Sequence, residues 1–211
     1  NPTGRTMPGE KQIALGKKAL ELGVRYVLYD WIYHYITEGD PMDANAVLTA
    51  FTPEERERVM ILDGLTKSLG ASNVRNGHLL AGEDVIKFIG GRASHGVIPQ
   101  YHGQAVAMAA IEKGFRQAAD PIIGPTNASR RVVREFLEAN DFRYIMGDGG
   151  YYAFINLSPW MEAANITDSF VLGEYLAAEH GIAVVPGAAF STEGNGWVRF
   201  SYALPPEVAQ G

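Results

Sequence analysis

The sequence predicts an α/β fold to about residue 115 and a small α+β unit from 116 to 211. Three observations lead there. Helical and strand patterns alternate through the first half, while the second half turns to short strands divided by glycines. Between them lies a stretch with Pro121, Gly124 and Pro125, the best junction in the chain.

In the first part, Thr6, Pro8 and Glu10 read as a helix entrance ahead of EKQIALGKKALELG, with Gly23 as its stop. VRYVLYD has the branched, alternating character of a buried strand and ends at Asp30. TPEERERV opens a short charged helix, VMILDG is a second buried strand and NGHLLAG a third. EDVIKFIG is helical, and VIPQYHGQAVAMAAIEKGF is a longer helix whose small residues favour close packing in an interior. In the second part, SRRVVREFLEAND is an amphipathic helix with Ser129 as N-cap and Val132, Val133, Phe136 and Leu137 on its apolar face. FRYIM and YYAFINL are strands separated by Gly147, Gly149 and Gly150. DSFVLGEYLAAEHG is a helix capped by Asp168 and stopped by Gly181, with Val171, Leu172, Tyr175 and Leu176 expected to be buried. IAVVPG and GWVRFSYAL complete the unit.

Apolar residues make up 46% and charged residues 20% of the 211, the balance of a globular chain with enough length for a packed core. A net charge of −6 provides no basic footprint, so nucleic acid and anionic membrane are not expected partners. No apolar run reaches membrane-spanning length. With no cysteine there is no disulfide and no thiolate metal site, and a cytoplasmic setting is expected. Histidines and carboxylates show no metal-ligand spacing, and His34 and His78 read as structural. Asn1-Pro2-Thr3-Gly4 reads as a turn, so further residues are expected ahead of it.

A lysine in a glycine-strewn run such as LDGLTKSLGASNVRNGHLLAG is ordinarily a solvated charge. Its company changes that reading. Asp30 closes a strand, with Tyr33 three residues on. Lys67 and Arg75 follow the next strand, and Arg199 sits in GWVRFSYA. An amine can form a Schiff base with an aldehyde and carry a proton, and an arginine fork suits a phosphate or a carboxylate.

In order, residue type and spacing, these features together resemble the class I/II aminotransferases, which are fold-type I pyridoxal-phosphate enzymes. VVPGAAFSTEGNGWVRFSYA is similar to that family's C-terminal signature, and the likeness runs over essentially the whole chain as roughly the C-terminal half of such an enzyme. The resemblance implies the C-terminal part of a large cofactor-binding domain over 1–115, mainly a parallel sheet with helices, and a small α+β domain over 116–211. It implies transfer of an amino group from an α-amino acid to a 2-oxo acid, with pyridoxal 5′-phosphate as cofactor. Lys67 matches the catalytic Schiff-base lysine and Asp30 the carboxylate that faces the pyridine nitrogen. Tyr33 and Asn1 match the groups near the ring oxygen, Thr66 and Arg75 fit the phosphate, and Arg199 fits the substrate carboxylate. GGRASHGVIPQYHG, with His95 as a specificity candidate, looks like the segment that crosses to a neighbouring subunit, so a homodimer is implied.

Three positions depart from the family pattern. Gly64 stands where a serine is frequent, Trp31 follows the strand-end aspartate where an acid is common, and NVRNG replaces an apolar-Arg-apolar-Gly run. The family's other phosphate loop and its ring-stacking aromatic lie upstream of the NPTG motif, so this stretch alone is expected to be inactive. The same residues would serve a β-lyase, a decarboxylase or a synthase using the same cofactor. A non-catalytic effector domain of a transcription regulator is the remaining alternative.

Overall fold

Local signals set most element ends. In the computed structural model, which describes residues 1–93 and 100–209, α1 (Gly9–Glu21) begins behind Pro8 and is followed by Gly23 at a left-handed φ of 86°. β1 (Val27–Asp30) comes next, then α2 (Ala44–Thr49), where the Asp43 carboxylate accepts from the Asn45 N–H at 3.0 Å. α3 (Pro53–Arg56) carries a reciprocal cap. The Thr52 hydroxyl accepts from the Glu55 N–H at 3.2 Å, and the Glu55 carboxylate accepts from the Thr52 N–H at 2.8 Å. β2 (Val59–Gly64), α4 (Leu65–Ser68), β3 (Gly77–Leu80), α5 (Glu83–Ala93) and α6 (Tyr101–Lys113) follow.

β1 runs parallel to β2, with Asp30 opposite Leu62, and β3 runs antiparallel to β2, with Gly64 opposite Gly77. The sheet is therefore mixed among the described strands rather than mainly parallel. The residues between β2 and β3 hold only the single turn α4, too little chain for a parallel crossover, so β3 returns alongside its predecessor. One face of the sheet packs Val59 and Ile61 with Leu20, Trp31, Val47 and Phe51. The alternate positions Leu28 and Leu62 stay 52% and 37% exposed, so VRYVLYD is a half-buried strand. Nor does α6 lie in an interior, since only Gly103 and Ala110 on it are buried. The small residue is needed at one point of contact, where a Cβ on Gly103 would stand 2.9 Å from the Val74 carbonyl oxygen.

α7 runs unbroken from Phe115 to Ala139, through Pro121, Gly124 and Pro125. Ser129 is thus not an N-cap. It is fully buried inside the helix, and its hydroxyl donates to the Leu204 carbonyl at 2.6 Å. The reason is a buried stripe, Ala119, Ile123, Thr126, Arg130, Val133 and Leu137, whose helical spacing continues across both prolines. Proline disfavours a helix interior through its lost donor and its ring, and here the continuous buried stripe outweighs that cost. Phe136, expected on the apolar face, is 58% exposed.

β4 (Tyr144–Ile145), β5 (Tyr152–Asn156), α8 (Ser158–Ala163), α9 (Ser169–His180), β6 (Val185–Pro186) and β7 (Trp197–Ser201) complete the order. The strands form an antiparallel sheet in the order β4-β5-β7-β6. Asp168 caps α9 by accepting from the Phe170 N–H at 2.6 Å, and Gly181 ends it at φ 67°. Leu172 is buried and Leu176 packs against the same cluster, whereas Val171 and Tyr175 are exposed; one i, i+4 line of α9 meets the sheet rather than a broad face. Beneath the sheet, the fully buried Arg130 donates to the Tyr202 hydroxyl at 3.1 Å, the Gly150 carbonyl at 2.6 Å and the Asn127 side-chain oxygen.

By internal contact the chain divides into Met7–Ile123 and a second unit joining Asn1–Thr6 to the residues from Gly124 onward. The first six residues belong to the second unit for a steric reason. Gly4 has φ 64°, and a Cβ there would stand 2.8 Å from the Gly149 carbonyl oxygen; one on Gly147 would stand 2.1 Å from that of Gly4. The Gly147 N–H donates to Thr3 at 3.0 Å, the Gly149 N–H to Gly4 at 2.9 Å and the Thr6 hydroxyl to Asp148 at 2.6 Å. Among the described residues, no helix is long and apolar enough to cross a membrane.

Candidate functional site

Within Met7–Ile123, the chemistry gathers past the C-terminal ends of the parallel pair β1 and β2. Ligands in open α/β sheets bind at that edge, because the strand ends there release their loops together. Asp30 is the last residue of β1; its exposed carboxylate accepts from the Ile32 N–H at 3.2 Å. The Trp31 N–H bonds the Leu62 carbonyl at 2.8 Å, keeping the start of this turn on β2. Tyr33 follows, and the Lys67 Nζ lies 6.0 Å from the centre of its ring.

Lys67 is held by its neighbours rather than by a long helix. α4 is one turn, anchored by fully buried Leu65 and Ser68 and closed by bonds from Leu69 and Ala71 to the Leu65 carbonyl at 3.1 and 3.4 Å. Gly70 follows at φ 58°, and its N–H donates to the Lys67 carbonyl at 3.2 Å. Lys67 and Thr66 are half-buried. Ser68 presents a buried hydroxyl with no protein partner.

Gly64 has a structural cause. Its φ of 179° suits any residue, but a Cβ there would stand 2.8 Å from the Asn76 carbonyl oxygen and 3.1 Å from the Gly77 Cα. The β2–β3 pairing leaves no room for a serine, and Thr66 carries the hydroxyl nearest Lys67 on its N-terminal side. Arg75 is exposed at φ 53°, and its guanidinium donates to the Ser72 carbonyl at 3.2 Å.

The second unit holds a separate cluster. β7 sets Arg199 opposite Phe154 on β5, which brings Tyr152 two residues away beneath it. The guanidinium carbon lies 4.3 Å from the Tyr152 ring centre and 5.4 Å from that of Phe190. One terminal nitrogen donates to the Asn1 side-chain oxygen at 2.8 Å, while Nε is buried with no protein acceptor. The arginine is thus a half-buried cation on an aromatic floor, with an amide fixing one side of its fork. That arrangement suits a carboxylate.

The structure thus brings Asp30, Tyr33, Thr66 and Lys67 to one strand edge, and Asn1 to Arg199; Arg75 stands on the loop that follows α4. Sequence reasoning missed Tyr152 and Phe190, because only strand pairing brings them under Arg199. It also missed Asp63, a nearly buried carboxylate at 5% exposure, whose signal was a lone charge in the apolar run VMILDG. His78 is exposed on β3, and His95 lies outside the described residues.

Over 208 residues the chain is 30% identical to a probable N-acetyl-LL-diaminopimelate aminotransferase of Bacillus subtilis, a match covering 96% of this chain and 49% of that protein. It is 26% identical over 221 residues to an aspartate aminotransferase of the same organism, covering 100% of this chain and 52% of the relative. The solved structure of a Thermus thermophilus aspartate aminotransferase double mutant is similar with a TM-score of 0.80 at 26% identity, covering 100% of this chain and 52% of that one. The chain thus spans about half the length of the relatives it matches. The profile of aminotransferase class I and II matches residues 1–210, and with the lysine, carboxylate and phenol gathered at one strand edge, the chain belongs to that family.

Proposed function

We propose that the intact protein is an aminotransferase that moves an amino group between an α-amino acid and a 2-oxo acid. One observation carries the reading. A carboxylate, a phenol and an amine, from Asp30, Tyr33 and Lys67, stand past the ends of adjacent parallel strands, with Lys67 6.0 Å from the Tyr33 ring. This set fits pyridoxal 5′-phosphate, the family's cofactor, because each group has a complement on it. When bound, the cofactor supplies an aldehyde and an electron-withdrawing ring that stabilises negative charge at the substrate α-carbon. Lys67 would hold the aldehyde carbon and Asp30 the pyridine nitrogen, while Tyr33 would donate to the ring oxygen. Thr66 and Arg75 would hold the phosphate.

Lys67 is the base suited to move a proton at the substrate α-carbon, since it carries an amine on a one-turn helix anchored by buried Leu65 and Ser68. Arg199 binds the substrate carboxylate with the donors that Asn1 leaves open, and the Tyr152 ring keeps the guanidinium plane in place. Asn1, implied by the family pattern to lie near the ring oxygen, orients Arg199 here through its own side-chain oxygen. By the family pattern, residues 1–115 make up the chain's share of the cofactor-binding domain and 116–211 the small domain, although by internal contact Asn1–Thr6 group with the later unit and 116–123 with the earlier one. The intact protein is a homodimer that works in the cytoplasm. Relatives named as aspartate aminotransferases make aspartate with 2-oxoglutarate the first pair to assay.

The test is chemical. Borohydride reduction of the cofactor-loaded intact protein, followed by peptide mapping, is expected to place the pyridoxyl label on Lys67. Label on any other lysine overturns the assignment.

A further inference from the structure

Asp63 and His34 form a nearly buried pair, with side chains 7% and 10% exposed. Asp63 sits on β2 between exposed Leu62 and Gly64, four residues before Lys67. One of its oxygens accepts from the Gly64 N–H at 2.7 Å, at the point where β2 passes into α4. The other faces the His34 Nδ1 at 3.4 Å. The second ring nitrogen of His34 faces the Met42 carbonyl oxygen, and the ring lies between Trp31 and Tyr35, with centres 4.3 and 4.5 Å away. One imidazole therefore ties three segments together: the end of β2, the turn after β1, and the stretch ahead of α2.

Burial of a carboxylate on an otherwise apolar strand is costly even when it is paired, and apolar residues of similar size stabilise such a position as well or better. Stability alone is a poor reason for this pair. Its position offers a better one: Tyr33 is the residue before His34, and the Asp63–Gly64 bond fixes the entrance to the turn that carries Lys67. We propose that His34 and Asp63 are positioning residues for the Tyr33–Lys67 pair, holding the two loops at the spacing that cofactor binding needs. This rests on the function proposed above.

The experiment compares the intact protein with His34→Ala, Asp63→Ala, the double variant, Asp63→Asn and Leu20→Ala. For each, pyridoxal 5′-phosphate is titrated into the cofactor-free protein and the melting temperature is recorded separately. Leu20 is a buried α1 residue in the core cluster that also holds Trp31 and Ile61; it makes none of the pair's polar contacts and serves as the packing control. Each single alanine variant of the pair is expected to weaken cofactor affinity roughly tenfold, and the double variant no more than the worse single, because they break one connection. Asp63→Asn keeps an acceptor for the Gly64 N–H and a polar partner for the ring, so it should stay within about threefold of the parent. Leu20→Ala should lower the melting temperature with affinity retained. Losses that multiply in the double variant, or a Leu20→Ala loss of affinity equal to that of His34→Ala, would overturn the proposal. A parent protein that takes no cofactor brings down the functional reading itself, whereas a parent that binds and pair variants that bind equally well remove only the positioning role.

Discussion

Arg199 shows how much one side chain depends on its surroundings. Its fork is held by Asn1, its plane by Tyr152, and its charge is set on an aromatic floor. A lysine would keep the charge and lose both the two parallel donors and the stacking. Arg199→Lys is expected to reduce amino-acid turnover by a factor of roughly thirty to several thousand, from about 2–5 kcal/mol of lost pairing. Steady-state rates with α-amino acids and with amines that lack a carboxylate check this; the amines should lose far less, and equal losses would make Arg199 a strand residue only. Lys67, Asp30 and Arg199 could be singled out as candidates in the sequence because, taken together in order and spacing, they resemble a family pattern. Tyr152 could not, since a cross-strand neighbour leaves no local trace. The His34–Asp63 pair was half visible, because a charge inside an apolar strand draws notice while its partner, 29 residues away, does not.

Elements with chemical punctuation were read well, and those fixed by tertiary burial were not. The Asp168 cap and the Gly181 stop of α9 act within a few residues, so the chain announces them. α2 and α8 went unread because each is only six residues long; α2 has its Asp43 cap, and α8 has no side-chain cap. α7 misled in the other direction, because two prolines are strong local signals and the buried stripe that overrides them extends over the whole helix. β2 and β3 raise a testable point. Since a Cβ on Gly64 would crowd the Asn76 carbonyl oxygen and the Gly77 Cα, Gly64→Ala has to separate the two strands just before Lys67. A stability loss of about 1–3 kcal/mol is expected, measured by denaturant titration, together with weaker pyridoxyl labelling of Lys67. A variant as stable as the parent would show that the pairing yields freely there.

For the molecule as a whole, α6 exposes Tyr101 at 88%, Met108 at 55% and Ile111 at 61%, more apolar surface than a solvated helix usually presents. Light scattering on the intact protein is expected to give twice the chain mass, and a fully active monomer at assay concentration would contradict the homodimer. The pairing of the NPTG turn with Gly147 and Gly149 bears on how the protein is made. Thr6 and Asp148, which share a hydrogen bond, are 142 positions apart. At about 5–20 residues per second, a ribosome needs roughly 7–30 s to cover that interval. During it, Asn1–Thr6 waits without its partner while Met7–Ile123 is completed. Synthesis therefore limits the order of assembly: the turn made before Met7–Ile123 can be claimed only once the residues that follow that unit have been made.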